Sequence, residues 1–248
     1  MTDRLSADEI ASLCSIPASE ISVFDSLPST NTYLAALARG GEKHGRVVLA
    51  EAQSAGRGRL GRSFFSPSGS GIYMSILLRP RHLDAGRLTT LAAVVVADAI
   101  ERVCGIKVGI KWVNDLVFDG KKLCGILAEG VATEFAVLGI GINVRQSALP
   151  SELVGIATSL QEILGVAPSR NRLVAEILEG FAKADVEGTA HMDEYRRRSL
   201  TLGKTVRIVT TGESVFVLAI EDDGSLVAQD EQGNLRRILS GEVSVRNL

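Results

Sequence analysis

Arg57, Arg59 and Arg62 alternate with Gly56, Gly58 and Gly61 in the stretch EAQSAGRGRLGRSFFSP (residues 51–67), and no other part of the 248-residue chain is so densely cationic. Glycine permits positive φ and a close approach of backbone to ligand, while each guanidinium offers a planar fork of donors. That combination suits a phosphate or a carboxylate. Cations this close repel one another and solvate well, so the loop is expected to stay open until an anion orders it. A solvated basic turn is the competing reading of the same residues. Lys111 lies in a run with Val108, Ile110 and Val113, where a buried ammonium needs either a carboxylate such as Asp115 or a ligand anion. Ser29, Thr30 and Asn31 follow Pro28 at the start of a helical pattern, where capping alone would account for them.

Other chemistries find less support. His44, His82 and His191 are scattered, and Cys14, Cys104 and Cys124 show no paired spacing. The residues therefore suggest neither a Ser/His/Asp or Cys/His set nor a zinc site or disulfide framework. No GxxxxGK[ST] occurs, and no GxGxxG follows a strand and opens a helix. What remains is chemistry done by holding charged groups in line and neutralising them, as in phosphoryl or nucleotidyl transfer onto a carboxylate. The formal net charge of -2 supplies no global attraction to nucleic acid or anionic membrane, so the positive charge of the loop is local. With 46% hydrophobic and 23% charged residues the composition is that of an ordinary globular protein. The start of the chain lacks a signal pattern, and the longest apolar run, residues 91–97, is far short of the roughly 20 residues a membrane span needs. A soluble protein of the reducing cytoplasm is expected.

The elements that must carry these residues can be read in order. Residues 1–22 are a polar, weakly helical lead-in, too short for a DNA-binding unit. A strand near 21–24 precedes a helix capped by Ser29 or Thr30, with Tyr33, Leu34, Leu37 and Ala38 on one face and Gly40–Gly41 at its end. Strands over 46–51 and 71–78 flank the arginine loop, the second alternating Ile72, Met74, Ile76 and Leu78 on one face. A long buried helix over 85–104 closes at Gly105. Residues 108–130 read as two strands joined by a type I′ turn at Asp119-Gly120, and 134–144 as another strand in which Gly139 and Gly141 admit a close neighbour. Helical periodicity returns over 159–198, with Leu173, Ile177, Leu178 and Phe181 inward. From 203 onward come short β-type runs, TVRIV, SVFVLAI, SLVAQ, LRRIL and EVSVR, expected to form a small barrel or sandwich that leans on the larger domain.

The ordered set STN (29–31), QSAGRGRLGRSFFSP (53–67), KWVNDL (111–116), KKLCGIL (121–127) and GIGINV (139–144) resembles the biotin–protein ligase family, over about residues 22–248. The resemblance implies an α+β fold: a mixed β-sheet covered by helices, related to class II aminoacyl-tRNA synthetases and lipoate ligases, then an SH3-like β-barrel. Residues 1–201 would form the catalytic domain and 202–248 the barrel. It implies that biotin and ATP give biotinyl-5'-adenylate, from which a lysine of a biotin carboxyl carrier protein takes biotin. Catalytic roles fall on Lys111, Arg57 and Arg59; biotin contacts on Ser29, Thr30, Asn31, Gln53, Gly56, Arg57, Gly58, Arg59 and Lys111; ATP contacts on Arg59, Arg62, Phe64, Asn114 and Asn143. Mg²⁺ would be held by the phosphates rather than by protein ligands. The pattern is similar to that of the short ligases without a DNA-binding domain, so neither DNA nor a membrane is an expected partner, and the protein would act as monomer or homodimer. Two departures stand out: Val113 where the family usually has proline, and Phe64 where it commonly has tryptophan. Lipoate–protein ligase and a non-catalytic RNA-binding module are the alternatives; the GRGRLGR loop and KWVNDL favour biotin over the first, the negative net charge and 4% aromatics weigh against the second.

Overall fold

The structure is a computed structural model describing residues 3–82, 84–131, 134–145, 150–209, 211–239 and 245–247. Its elements are α1 (Ala7–Ser12), β1 (Ile21–Leu27), α2 (Thr30–Arg39), β2 (Val47–Gln53), β3 (Gly71–Leu78), α3 (Ala85–Cys104), β4 (Gly109–Lys111), β5 (Asp115–Phe118), β6 (Lys121–Val131), β7 (Phe135–Asn143), α4 (Leu160–Leu164), α5 (Arg170–Lys183) and α6 (Met192–Arg198). β8 (Thr205–Ile208), β9 (Ser214–Ile220), β10 (Leu226–Asp230), β11 (Leu235–Ile238) and β12 (Val245–Asn247) follow. Local chemistry sets many of the boundaries. Ser29 caps α2 by accepting from the Thr32 N–H, and Asp84 caps α3 by accepting from Gly86 and Arg87, whose helix ends on left-handed Gly105 at φ 71°. Asp119 and Gly120 both take positive φ, 47° and 75°, as a type I′ turn between β5 and β6 requires.

The first seven strands form a mixed sheet in the order β1-β2-β3-β7-β6-β5-β4. β1 and β2 are parallel, joined through α2, and every other neighbouring pair is antiparallel. β3 was expected to bury alternate residues, yet all of it is buried. Both faces of this central strand are covered. Leu77 packs with Leu34, Ala38, Phe135 and Val137 under α2, while Ile72, Met74, Ile76 and Leu78 join the core built on α3 and α5. The expected first strand of 108–118 is also corrected: it folds back at 112–114 into two strands, β4 and β5, with Lys111 opposite Asp115. The run is apolar enough for one strand, but the hydrogen bonds that the Trp112 N–H and Val113 carbonyl make to Thr201 and Tyr195 draw it into a tight turn.

The remaining strands form an antiparallel sheet in the order β11-β10-β9-β8-β12. Four of the expected β-type runs fall on β8–β11; of EVSVR only 245 and 246 lie within the described residues. Its buried Val206, Val217, Leu226 and Ile238 join the α3 core. The β9–β10 turn is wedged against the larger unit: a Cβ on Gly86 would come within 2.3 Å of the Asp223 carbonyl, and the Gly224 carbonyl accepts from Trp112 Nε1 at 2.8 Å. The first residues do more than lead in. Buried Arg170 donates to Glu51 at 2.7 Å and to Asp3 at 3.2 Å, and the Leu5 N–H reaches Glu51 at 2.7 Å, so the start of the chain is tied to β2. No helix among the described residues is long and apolar enough to cross a membrane.

Candidate functional site

Register builds the floor of the site. Tyr73, Gly141 and Gly125 form one row across β3, β7 and β6, and Ser75, Gly139 and Leu127 the next, on the face that α2 reaches first at Asn31 and covers further along at Leu77 and Val137. Glycine leaves this backbone bare. A Cβ on Gly139 would fall 2.3 Å from Asn31 Oδ1, and one on Gly141 would meet the Phe64 ring at 2.6 Å. The neighbours those glycines were expected to admit are thus Asn31 and Phe64.

Over this floor lies a small inner pocket of about 50 Å³, walled by Ser29, Thr30, Asn31, Gln53 and Arg57. The polar atoms hold one another in place. Gln53 Oε1 accepts from the Thr30 N–H at 2.9 Å, and Gln53 Nε2 donates to Ser66 Oγ at 3.0 Å. Asn31 is almost fully committed: Nδ2 donates to Glu129 at 2.8 Å, and Oδ1 lies 2.6 Å from Ser75 Oγ. Ser29, Thr30 and Asn31 are buried to 3%, 3% and 5% exposure, deeper than a solvent-facing cap requires. Ser75, Ser66 and Glu129 were not singled out in the sequence; Ser75 could have been, as the one serine of an otherwise hydrophobic strand.

The arginine loop is more ordered than its composition suggested. The Phe64 N–H donates to the Gly56 carbonyl at 2.9 Å and the Gly58 N–H to the Arg62 carbonyl at 2.7 Å, around a 3₁₀ turn at Arg59–Gly61. Arg57 pairs with Glu129 at 3.0 Å and Arg59 Nη1 donates to Asn114 Oδ1 at 3.0 Å. Burial lowers the guanidinium pKa of Arg59, against the pull of Asp115, and its buried Nη2 has no hydrogen-bond partner among the described residues. Arg62 is exposed.

Beyond the loop the pocket opens into a cavity of about 470 Å³ lined by Arg59, Arg62, Phe64, Lys111, Asn114 and Lys122, among others. The carboxylate offered as a partner for Lys111, Asp115, instead pairs with Lys122 at 2.7 Å. Lys111 has no carboxylate partner among the described residues and faces this cavity. Asn143 stands apart from the rest: its Nδ2 donates to the Thr158 carbonyl at 3.0 Å, and it lines neither space. Among the described residues no group of three or more His, Cys, Asp or Glu could hold a metal ion. A hydroxyl- and amide-lined pocket thus joins a cation-lined cavity, an arrangement that can seat a neutral polar ring inside and polyphosphate outside.

Comparison with known proteins accords with this geometry. The biotin/lipoate A/B protein ligase family matches residues 23–146, and the biotin protein ligase C terminal domain matches 201–246. A biotin--[acetyl-CoA-carboxylase] ligase of Mycobacterium tuberculosis is 36% identical over 229 residues, covering 87% of this chain and 85% of the relative. The bifunctional ligase/repressor BirA of Bacillus subtilis is 35% identical over 236 residues, covering 89% of this chain and 72% of the relative. A biotin protein ligase from Aquifex aeolicus in complex with biotin and ATP superimposes with a TM-score of 0.81 at 29% identity, covering 92% of this chain and 99% of that one. With its mixed sheet, its terminal β-unit and its joined pocket and cavity, the chain belongs to the biotin protein ligases of the biotin/lipoate A/B protein ligase family.

Proposed function

We propose that this protein activates biotin with ATP and transfers it to a lysine of a biotin carboxyl carrier domain. The observation that carries the reading is the direct junction of the inner pocket with the cationic cavity at Arg59 and Asn114. Biotin's ureido ring enters the pocket beside Ser29, Thr30 and Gln53, with Asn31 fixing the wall and Gly56 and Gly58 letting the loop backbone close in. Its carboxylate points outward. A carboxylate oxygen attacks the α-phosphorus of MgATP, the bond to the bridging oxygen breaks, and pyrophosphate leaves. Lys111 and Arg59 neutralise the two approaching anions, which is where a fixed charge accelerates the step. Arg57 closes the pocket, Arg62 meets the phosphates and Phe64 packs against the nucleotide. The carrier amine then attacks the acyl carbon, loses a proton and displaces AMP. The ion Mg²⁺ arrives as part of the substrate and is held by its phosphates. The local cation cluster on a chain of net charge -2 supports a small anion rather than DNA as the ligand. Biotin-dependent ATP–pyrophosphate exchange, run against lipoate, is the test. Exchange with lipoate alone, or none with either acid, would overturn the reading.

A further inference from the structure

The wall of the inner pocket is one continuous run of polar contacts, and it starts on a residue with no role in the reading above. Glu129 Oε1 pairs with Arg57 of the loop at 3.0 Å, and its Oε2 accepts from Asn31 Nδ2 at 2.8 Å. Asn31 Oδ1 meets Ser75 Oγ at 2.6 Å, Ser75 Oγ lies 2.8 Å from Thr30 Oγ1, and Thr30 Oγ1 lies 3.2 Å from Gln53 Oε1. Gln53 Nε2 donates to Ser66 Oγ at 3.0 Å, and Ser66 donates to the Phe64 carbonyl at 2.9 Å. The run leaves the arginine loop at Arg57, passes through the pocket wall and returns to the loop at Phe64.

Glu129 decides the direction in which these groups donate. A carboxylate only accepts, so the Asn31 amide turns its Nδ2 toward Glu129, where the Leu127 carbonyl is a second acceptor at 3.4 Å. Asn31 Oδ1 is left facing Ser75. An amide oxygen cannot donate, so the single proton of Ser75 goes to Asn31 and Thr30 receives none from it. Ser66 spends its own proton on Phe64, which fixes Gln53 with Nε2 toward Ser66 and Oε1 toward Thr30. The Thr30 hydroxyl therefore gives its proton to Ser75 Oγ or Gln53 Oε1 and keeps both lone pairs. Ser29 Oγ accepts from the Thr32 N–H and keeps its proton. The pocket thus offers lone pairs at Thr30 and Gln53 and a proton at Ser29. A ureido ring presents the complement, two N–H donors and one carbonyl.

We propose that Glu129 is a positioning residue that sets the pocket's preference for a ring bearing N–H groups. It lines neither the inner pocket nor the outer cavity and acts through Asn31 and Ser75. Without the carboxylate the Asn31 amide is free to turn over. Its Nδ2 then donates to Ser75, Ser75 donates to Thr30, and one of the Thr30 lone pairs is occupied. With biotin as the ligand of the pocket, the reading on which this inference rests, a ureido N–H loses its acceptor. Arg57 loses its partner too, but that loosens the loop over every ligand alike, so a ratio of affinities isolates the wall.

The test compares biotin with its two ring-oxygen analogues, in each of which an oxygen of nearly the same size replaces one ureido N–H. Calorimetry on the full chain gives the preference for biotin over each analogue, and ATP–pyrophosphate exchange is run beside it. Wild type prefers biotin to at least one analogue by roughly ten- to a hundredfold, the cost of a buried acceptor left unpaired. Glu129→Gln, whose amide can donate to Asn31 Oδ1, brings that preference to within roughly threefold. If Glu129→Gln does not fold, Glu129→Met, which releases the Asn31 amide, is held to the same criterion. A folded variant that keeps the wild-type preference, as a merely structural glutamate would allow, or a wild type that binds biotin and both analogues equally, overturns the role of Glu129. Absence of biotin-dependent exchange in a wild type that binds biotin overturns the adenylation reading alone.

Discussion

Lys111 faces a cavity with no carboxylate of its own among the described residues, since Asp115 is taken by Lys122. An ammonium in that setting is reserved for an anion that the protein does not supply. Replacing Lys111 with Gln keeps its length and hydrogen-bonding capacity but removes the charge. Losing a charge contact aimed at the transition state costs about 2.7–4 kcal/mol, roughly a hundred- to a thousandfold in rate. Exchange kinetics on a folded Lys111→Gln variant should show that drop; near-wild-type exchange would remove Lys111 from the chemistry. At this scale the sequence displayed residue types well and their availability poorly. STN was legible as a polar cluster, but only the structure shows that the Asn31 amide is spent on Glu129 and Ser75. Likewise, Asn143 sits in a conspicuous GIGINV motif, and its amide is taken by Thr158. Hydrogen-bond partners distant along the chain leave no local trace in composition.

Local signals carried the elements best. Helix α3 and its Gly105 end, the Asp119-Gly120 turn and the Ser29 cap were each set by neighbouring residues and were readable for that reason. The turn between β4 and β5 was not, because KWVNDL offers no glycine and its partners, Thr201 and Tyr195, come from near α6. Glycine freedom and charge repulsion alone would leave the arginine loop open. Glu129 and Asn114, which hold Arg57 and Arg59, lie far along the chain and offset both effects. The loop's own arginines report its state. Arg62 is exposed and Arg59 half-buried, so trypsin should cut after Arg62 first and after Arg59 last in the free protein. Phosphate then gives the forks a shared anion, and charge-assisted hydrogen bonds of about 1.5–3 kcal/mol each tighten the loop further. Biotin with MgATP should therefore slow cleavage at all three arginines more than biotin alone, as read by mass spectrometry of the fragments. Equal cleavage with and without ligands would separate the loop from the adenylate.

The whole molecule is joined across α3, α6 and the β9–β10 turn. His191 lies in that seam, 2.9 Å from Thr90 Oγ1, and burial lowers its pKa, helped by Arg87 and Arg196 and opposed by Asp222. The folded state therefore prefers neutral imidazole, whereas the unfolded chain takes up a proton near pH 6.5. Stability from this site is complete above about pH 6.5 and is lost as pH falls through the lower folded-state value. The melting temperature should fall more steeply on acidification in wild type than in His191→Asn, and parallel curves would exclude His191 as the cause. The same seam supports the active site. Trp112 is the neighbour of Lys111 and two residues from Asn114, and its indole N–H ends on the Gly224 carbonyl. Removing residues 203–248 takes away that acceptor and the wall behind the turn that presents both side chains. The effect should reach the first half-reaction, which involves no carrier protein. Trp112→Phe isolates the hydrogen bond from the packing: it keeps a buried aromatic and leaves the Gly224 carbonyl without its donor, at a cost of about 1–3 kcal/mol. Exchange activity should fall roughly tenfold or more in a soluble chain ending at Leu202, and by less in Trp112→Phe. A truncated chain that exchanges pyrophosphate at the full rate, and fails only in transfer to the carrier, would show that the terminal unit serves the acceptor alone.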